Sequence, residues 1–385
     1  ITYRDLLARA NRMANVLVGA GVRPGNRVLL RGYNGPELYV AWLAVMKAGA
    51  IAVTTMPMLR APELSAIIGK AKPAFALTDH RLLAELSAVA AAGGVDTRIA
   101  WGNGDLEARL GSASDHFDNA DTAADDVCLL AFTSGTTGQP KACAHFHRDV
   151  LAMADVVGRH LLETSPGDVY AGSPPLGFTF GLGALLVFPL RFRAATVPIE
   201  APAPATVLAA IERHGVTCLF TAPIAYRGLA GELAGRNLAS LKRCVSAGEF
   251  LPKAVSDLWF ERTGLRIIDG IGATEMIHIF ISAAGEAIRP GSTGRPLPGY
   301  RACVLDDDGR ELPRGSTGRL AVTGPTGCRY LDDPRQLDYV QGGWNVTGDI
   351  YRVDEDGYFW FVARADDMII SAGYNIAGPE VEWAL

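Results

Sequence analysis

The segment "LLAFTSGTTGQPKACAHFHRD", residues 129–149, gathers hydroxyls, glycines and a lysine in one short stretch. Thr133, Ser134, Thr136 and Thr137 offer four hydroxyls, Gly135 and Gly138 let the backbone approach a ligand, and Lys141 adds a point charge. Successive backbone N–H groups in such a loop form an anion-binding nest, and hydroxyls donate to phosphate oxygens. The chemistry this suits is the holding of a polyphosphate. Neither G-x-x-x-x-G-K-[ST] nor G-x-G-x-x-G occurs in the chain, so two familiar phosphate-binding loops are excluded. The apolar lead-in Leu129–Phe132 reads as a buried strand and the segment after Lys141 as the restart of a helix, which puts the loop between two ordered elements.

Three further stretches follow in order: "GIGATE" (Gly270 to Glu275), "VTGD" (Val346 to Asp349) and "ARADDMIISAGYNIAGPEVE" (Ala363 to Glu382). With the hydroxyl-rich loop they make four motifs in register. On these the chain resembles, over essentially its whole length, the adenylate-forming (AMP-binding) superfamily of acyl-CoA and aryl-CoA synthetases, luciferases and peptide-synthetase adenylation domains. The resemblance implies that ATP activates a carboxylate as an acyl-adenylate, which is then passed to a thiol, with ATP, Mg²⁺ and CoA as the reacting partners. Nucleotidyl transfer depends mainly on positioning and electrostatics, which explains why fixed donors and a metal ligand recur.

By the same resemblance Lys141 and the loop from Thr133 to Gly138 hold the β- and γ-phosphates, Thr274 bonds the α-phosphate and Glu275 holds Mg²⁺. Asp349 accepts the ribose hydroxyls with Arg364 as a second ribose contact, and Asp269 meets the adenine amine beside Gly270, Ile271 and Gly272. Ile271 departs from the family, many of whose members carry Tyr there, so an aliphatic surface would face the base. Gly248 and Glu249 in "SAGEFL" are the other candidate adenine wall, a reading that competes with a plain β-turn. Asp366 matches the hinge of a small C-terminal domain, and Gly373 and Tyr374 the approach to the pantetheine tunnel; both compete with a surface turn.

The acyl pocket of the family falls here on "PPLGFTFGLG", with Phe178, Thr179 and Phe180, and on "TEMIHIFIS", with Ile277 and His278. Phe178 and Phe180 could equally form the core face of a strand, and a single histidine in an apolar run is often a satisfied core residue. The wording of these segments and of "GPTGCRYLDD" resembles benzoate-CoA and 2-aminobenzoate-CoA ligases. A flat aromatic acid recognised by stacking and shape is therefore expected, with Thr179 or His278 bonding an ortho-amino group. The alternatives are a stand-alone adenylation domain loading a carrier protein, a fatty or other acyl-CoA synthetase, and a nucleotide-binding regulator.

The elements that must position these residues alternate. Thr2 caps a helix with Asp5 three residues on, and Leu6, Ala10, Met13, Ala14 and Leu17 recur at helical spacing. Strand-like "NRVLLRG", "AIAVTTM" and "AFALT" then alternate with helical stretches opening at Pro36 and Pro62, the pattern of a parallel sheet covered on both faces. The alternation resumes between Ala205 and Ile281, and from about Gly291 short β-rich runs suggest a small antiparallel sheet or barrel. The fold class is α/β: two αβα-layered subdomains and a β-barrel-like subdomain, with residues 1–365 as the large domain and residues 366–385 as the hinge and the first residues of a small α+β domain. The family's adenylation lysine lies in that small domain, beyond Leu385, so it is not named.

With 36 Lys+Arg against 41 Asp+Glu and a net charge of -5, no basic stripe suited to nucleic acid is present. The six cysteines form no C-x-x-C pair, which fits a reducing cytoplasm. The apolar stretch Pro174 to Leu190 is broken by Gly and Pro and is shorter than the roughly 20 residues of a membrane span. The start "ITYRDLLARANRM" lacks Met and a secretory pattern and suggests trimming. A homodimer is a common state in the family.

Overall fold

The computed structural model describes residues 1–133, 140–365, 369–371 and 374–376. They fall into two compact units, the first comprising Ile1–Thr133, Pro140–Arg148 and Pro175–Phe178 and the second most of the remainder. Among the described residues no helix is long and apolar enough to cross a membrane. All six cysteines are buried.

The first unit opens with α1 (Tyr3–Gly19), whose capping box has Thr2 Oγ1 accepting from the Asp5 N–H at 3.2 Å and Asp5 Oδ2 accepting from the Thr2 N–H at 3.0 Å. Then follow β1 (Arg27–Arg31), α2 (Pro36–Lys47), β2 (Ile51–Thr55), α3 (Ala61–Ala71), β3 (Phe75–Asp79), β4 (Thr97–Trp101), β5 (Val127–Thr133) and β6 (Lys141–Phe146). The strands lie in the order β6-β5-β2-β1-β3-β4, all parallel except the antiparallel pair β5–β6. Four successive residues of β1, β2 and β3 are buried, as expected when helices cover both sheet faces.

One expectation is corrected here. The segment after Lys141 is a strand, and a helix begins only at His147. Ala142 to Phe146 is buried along its whole length, so its sequence lacks a polar face that would separate the two periodicities. Pairing with β5 decides the outcome.

The second unit holds β7 (Val169–Gly172), β8 (Ala195–Val197), β9 (Cys218–Thr221), β10 (Arg243–Ser246), β11 (Ile267–Gly272), β12 (Ile279–Ser282) and β13 (Arg295–Pro296) in the order β13-β12-β11-β10-β9-β7-β8. Pairing is parallel from β8 to β11 and antiparallel from β11 to β13. Its core packs Trp259 against Tyr226, whose hydroxyl donates to the Leu219 and Val245 carbonyls, both at 3.1 Å. The antiparallel sheet expected after Gly291 contains β14 (Arg301–Leu305), β15 (Thr317–Thr323), and, after the short β16 (Arg329–Tyr330), β17 (Val340–Gln341), β18 (Trp344–Val353) and β19 (Phe359–Arg364). Strands β20 (Ile369–Ser371) and β21 (Tyr374–Ile376) form a two-stranded hairpin. The apolar stretch Pro174–Leu190 is largely helical: Thr179–Leu182 is α-helical, Gly183–Val187 a π-helical turn, and Phe188–Phe192 α-helical again.

Arg31 is a buried cation that organises the first unit. Its guanidinium donates to the carbonyls of Met56 at 2.9 Å, Pro57 at 3.1 Å and Leu59 at 2.7 Å, pinning the connection from β2 to α3, and burial holds its pKa below the usual arginine value. Arg31→Met keeps the apolar stem and removes the fork, so urea unfolding should show a loss of about 2–4 kcal/mol, from stranded buried carbonyls. An unchanged midpoint would show that the loop carbonyls find other donors.

Candidate active site

In the first unit Thr133 closes β5 and Lys141 opens β6, and the two face each other in register. Of the loop between them, Ser134, Gly135, Thr136, Thr137 and Gly138 lie outside the described residues. Phe178 belongs to this unit, half-buried in a turn where its N–H donates to the Pro175 carbonyl at 3.0 Å.

In the second unit the candidates cluster at the carboxyl ends of β10 and β11, the place where open α/β sheets hold ligands. Strand β11 carries Asp269, Gly270, Ile271 and Gly272 into the turn Thr274–Met276, and β12 returns antiparallel. Position 272 must be glycine, because a Cβ there would lie 2.8 Å from the backbone carbon and oxygen of His278. The turn ends in Ile277, a buried β-branched residue at φ +64°, a conformation costly for its type. Thr274 and Glu275 are both buried. The Tyr330 hydroxyl donates to Glu275 Oε1 at 2.5 Å, and Thr326 Oγ1 donates to the Met276 carbonyl at 2.9 Å.

Asp269 Oδ1 is buried without a hydrogen-bond partner among the described residues. Burial pushes its pKa up to about 8, opposed by a hydrogen bond from the Gly270 backbone. Ser246, opposite it on β10, has its hydroxyl in the same condition. Beyond Ser246 the chain bends at Gly248, φ +94°, and Glu249 Oε1 accepts from the Ile224 N–H at 3.2 Å. Phe250 stacks on Phe361 of β19 with centroids 5.3 Å apart, and Tyr351 meets Phe361 edge-on at 5.6 Å.

On β18 and β19, Asp349 and Arg364 are register partners, and Arg364 Nη1 donates to Asp349 Oδ1 at 2.9 Å. Asp366 and Gly373 lie outside the described residues, and Tyr374 opens β21.

Thr179 and Phe180 are buried at the start of a helix rather than on a strand face. Phe180 lies 5.5 Å from the ring of His278, and Phe188 meets the same imidazole edge-on at 4.8 Å. Burial drives the His278 pKa down to about 3, so the ring is neutral. Its Nε2 lies 3.3 Å from the Phe180 carbonyl. A carbonyl only accepts, so Nε2 carries the proton and Nδ1, buried without a partner among the described residues, is an acceptor.

Sequence reading missed Tyr330, Ser246 and the pair Phe250–Phe361. Phe250 adjoins "SAGE" and Tyr330 lies in "CRYLDD", but nothing in either stretch announces a partner far along the chain.

A family model described as AMP-binding enzyme matches residues 1–329. The benzoate–CoA ligase of Thauera aromatica is 33% identical over 397 residues, covering 100% of this chain and 75% of the relative. A mitochondrial acyl-coenzyme A synthetase of Mus musculus is 32% identical over 404 residues, covering 100% of this chain and 69% of the relative. Among solved structures, the anthranilate CoA ligase AuaEII in complex with anthranoyl-AMP superposes with a TM-score of 0.92 at 33% identity, covering 99% of this chain and 76% of that one. The chain belongs to the AMP-binding enzyme family, as an AMP-forming acid–CoA ligase. A 3-hydroxybenzoate/4-hydroxybenzoate–CoA ligase of Thauera aromatica and a benzoate CoA ligase of Burkholderia xenovorans are also similar to it.

The enclosed Asp269 makes stability depend on pH in the ligand-free protein. Its folded pKa is raised from 3.8 to about 8, so its contribution is fully present below the unfolded value and is lost as pH rises through that window. Asp269→Asn removes this titration. Its melting temperature relative to wild type should climb from pH 5 to about 8 and then level off; a difference constant across the range would show that Asp269 is ionised throughout.

Proposed function

We propose that the protein joins an aromatic carboxylic acid of the benzoate or 2-aminobenzoate type to CoA through an acyl-adenylate. The observation that carries the choice of acid is the imidazole of His278, neutral, flanked by Phe180 and Phe188, with an acceptor nitrogen left over. Aromatic edges suit an aryl ring, and an ortho-amino N–H would offer a donor to Nδ1. The benzoate and anthranilate ligases that the chain is similar to act on acids of this class.

In this reading a carboxylate oxygen of the acid attacks the α-phosphorus of ATP. The new O–P bond forms as the bond to the β-phosphate bridging oxygen breaks, and pyrophosphate leaves. Thr133, Lys141 and the loop between them hold the departing phosphates, while Thr274 donates to the α-phosphate. Asp349, oriented by Arg364, accepts from the ribose hydroxyls, and Asp269 with the Gly270–Gly272 backbone and Gly248–Glu249 encloses the adenine beside Ile271. The thiol of CoA then attacks the acyl carbon; a C–S bond forms, the C–O bond to AMP breaks, and the thiol proton passes to solvent. We read residues 366–385, with Asp366, Gly373 and Tyr374, as the hinge into a second domain that serves this thiol step.

Among the described residues no three His, Cys, Asp or Glu side chains gather into a metal cage. A lone carboxylate suits magnesium, whose other ligands are usually water and substrate phosphates. Glu275 fits that role. Held there, magnesium would supply charge neutralisation for the leaving phosphates.

The test is acid-dependent AMP release with ATP, Mg²⁺ and CoA, comparing 2-aminobenzoate, benzoate and hexanoate. CoA-dependent release with the two aromatic acids is expected; release with hexanoate alone would keep the ligase and discard the aromatic pocket. His278→Ala should lower the preference for 2-aminobenzoate over benzoate about 10-fold, the worth of one buried hydrogen bond. An unchanged preference would remove His278 from substrate recognition.

A further inference from the structure

The segment from Thr326 to Tyr330 grips the Thr274–Met276 turn at two points. Thr326 accepts from the Tyr300 hydroxyl at 2.6 Å and donates to the Met276 carbonyl at 2.9 Å, which fixes the backbone of the turn. Tyr330 donates its phenol to Glu275 Oε1 at 2.5 Å, a length typical of a charge-assisted O–H···O⁻ bond. Tyr330 is itself held. Its N–H donates to Gln336 Oε1 at 2.7 Å, and its ring packs on Tyr339 with centroids 5.6 Å apart. Tyr330, Glu275, Thr326 and Tyr300 are all buried, so water does not substitute easily for any of these bonds.

We propose that Tyr330 is a positioning residue for Glu275. The phenol engages one carboxylate oxygen and fixes the plane of the group, and with it the direction in which the carboxylate meets a metal-bound triphosphate. This rests on the reading of Glu275 as the metal-holding carboxylate. Removing a partner that orients a metal ligand typically costs about 10- to 100-fold in metal affinity or activity.

The experiment titrates Mg²⁺ into wild-type protein, Tyr330→Phe and Glu275→Gln in the presence of a non-hydrolysable ATP analogue, following heat of binding without turnover. Binding of AMP in the absence of metal is measured alongside. Tyr330→Phe should raise the Mg²⁺ concentration for half-saturation ~10-fold while leaving AMP affinity unchanged, and Glu275→Gln should abolish the metal dependence. If Glu275→Gln loses the dependence but Tyr330→Phe titrates as wild type, the Tyr330 proposal is overturned and the Glu275 reading stands. If Glu275→Gln titrates as wild type, the Glu275 reading fails and takes the proposal with it. Equal weakening of AMP and metal–analogue binding in Tyr330→Phe would show a merely structural role and also overturn it. Should Tyr330→Phe not fold, Gln336→Ala, which loosens Tyr330 but keeps its hydroxyl, must show a smaller shift in the same direction, and the absence of that shift overturns the proposal.

Discussion

The close crossing of β11 and β12 is the constraint on which the candidate site depends. With no side chain at Gly272, the backbone of His278 comes within the space a Cβ would fill, so the connection has room only for a single tight turn. That turn places Thr274 and Glu275 at the end of β11 and leaves Ile277 at φ +64°. A β-branched residue in that region costs on the order of 1–3 kcal/mol. Ile277 is fully buried, and Thr326 and Tyr330 hold the turn from outside, so packing and hydrogen bonds offset the strain. One four-residue device thereby fixes both the phosphate-facing pair proposed above and, on the next residue, the imidazole proposed to meet the acid.

The alternating α/β elements of the two sheets were legible because each strand is a short apolar run between helices with capping and glycine signals, as Thr2 with Asp5 and the run from Arg27 to Ala71 show. The strands after Gly291 were legible from their turn residues. The segment after Lys141 was not, because a strand buried on both sides carries no period to read, and its partner β5 decides what it becomes. Phe178 and Phe180, two residues apart, looked like one face of a strand, yet the chain turns at Pro175–Phe178 and Phe180 enters a helix. Candidate residues in tight motifs, such as Thr274 with Glu275, were visible locally. Tyr330 was invisible because its meaning lies in a contact across 55 positions of sequence.

Electrostatics divides the candidate residues into two kinds. Asp349 is paired with Arg364, and Glu275 accepts from a phenol. Asp269 and His278 have no such partner, and burial pushes their pKa values towards about 8 and about 3, so each is neutral near pH 7. The residues proposed for ribose and metal thus have polar side-chain partners. Asp269 and His278, proposed for the adenine and the acid's ring, present uncharged donors and acceptors, the better match to flat, neutral heterocyclic and aromatic groups.

Ser246 Oγ, Asp269 Oδ1 and His278 Nδ1, without partners among the described residues, stand on or beside three consecutive strands, β10, β11 and β12. A buried polar atom without a hydrogen bond costs about 1–3 kcal/mol. In the enclosed core the Tyr226 phenol donates to two carbonyls, whereas Trp259 Nε1 beside it has no partner among the described residues. Ser246 Oγ, Asp269 Oδ1 and His278 Nδ1 differ from it in lying among the candidate site residues. A ligand that brings matching donors there recovers the desolvation already spent, so its polar contacts add more affinity than they would at an exposed surface, and a ligand lacking those donors is rejected by the same amount.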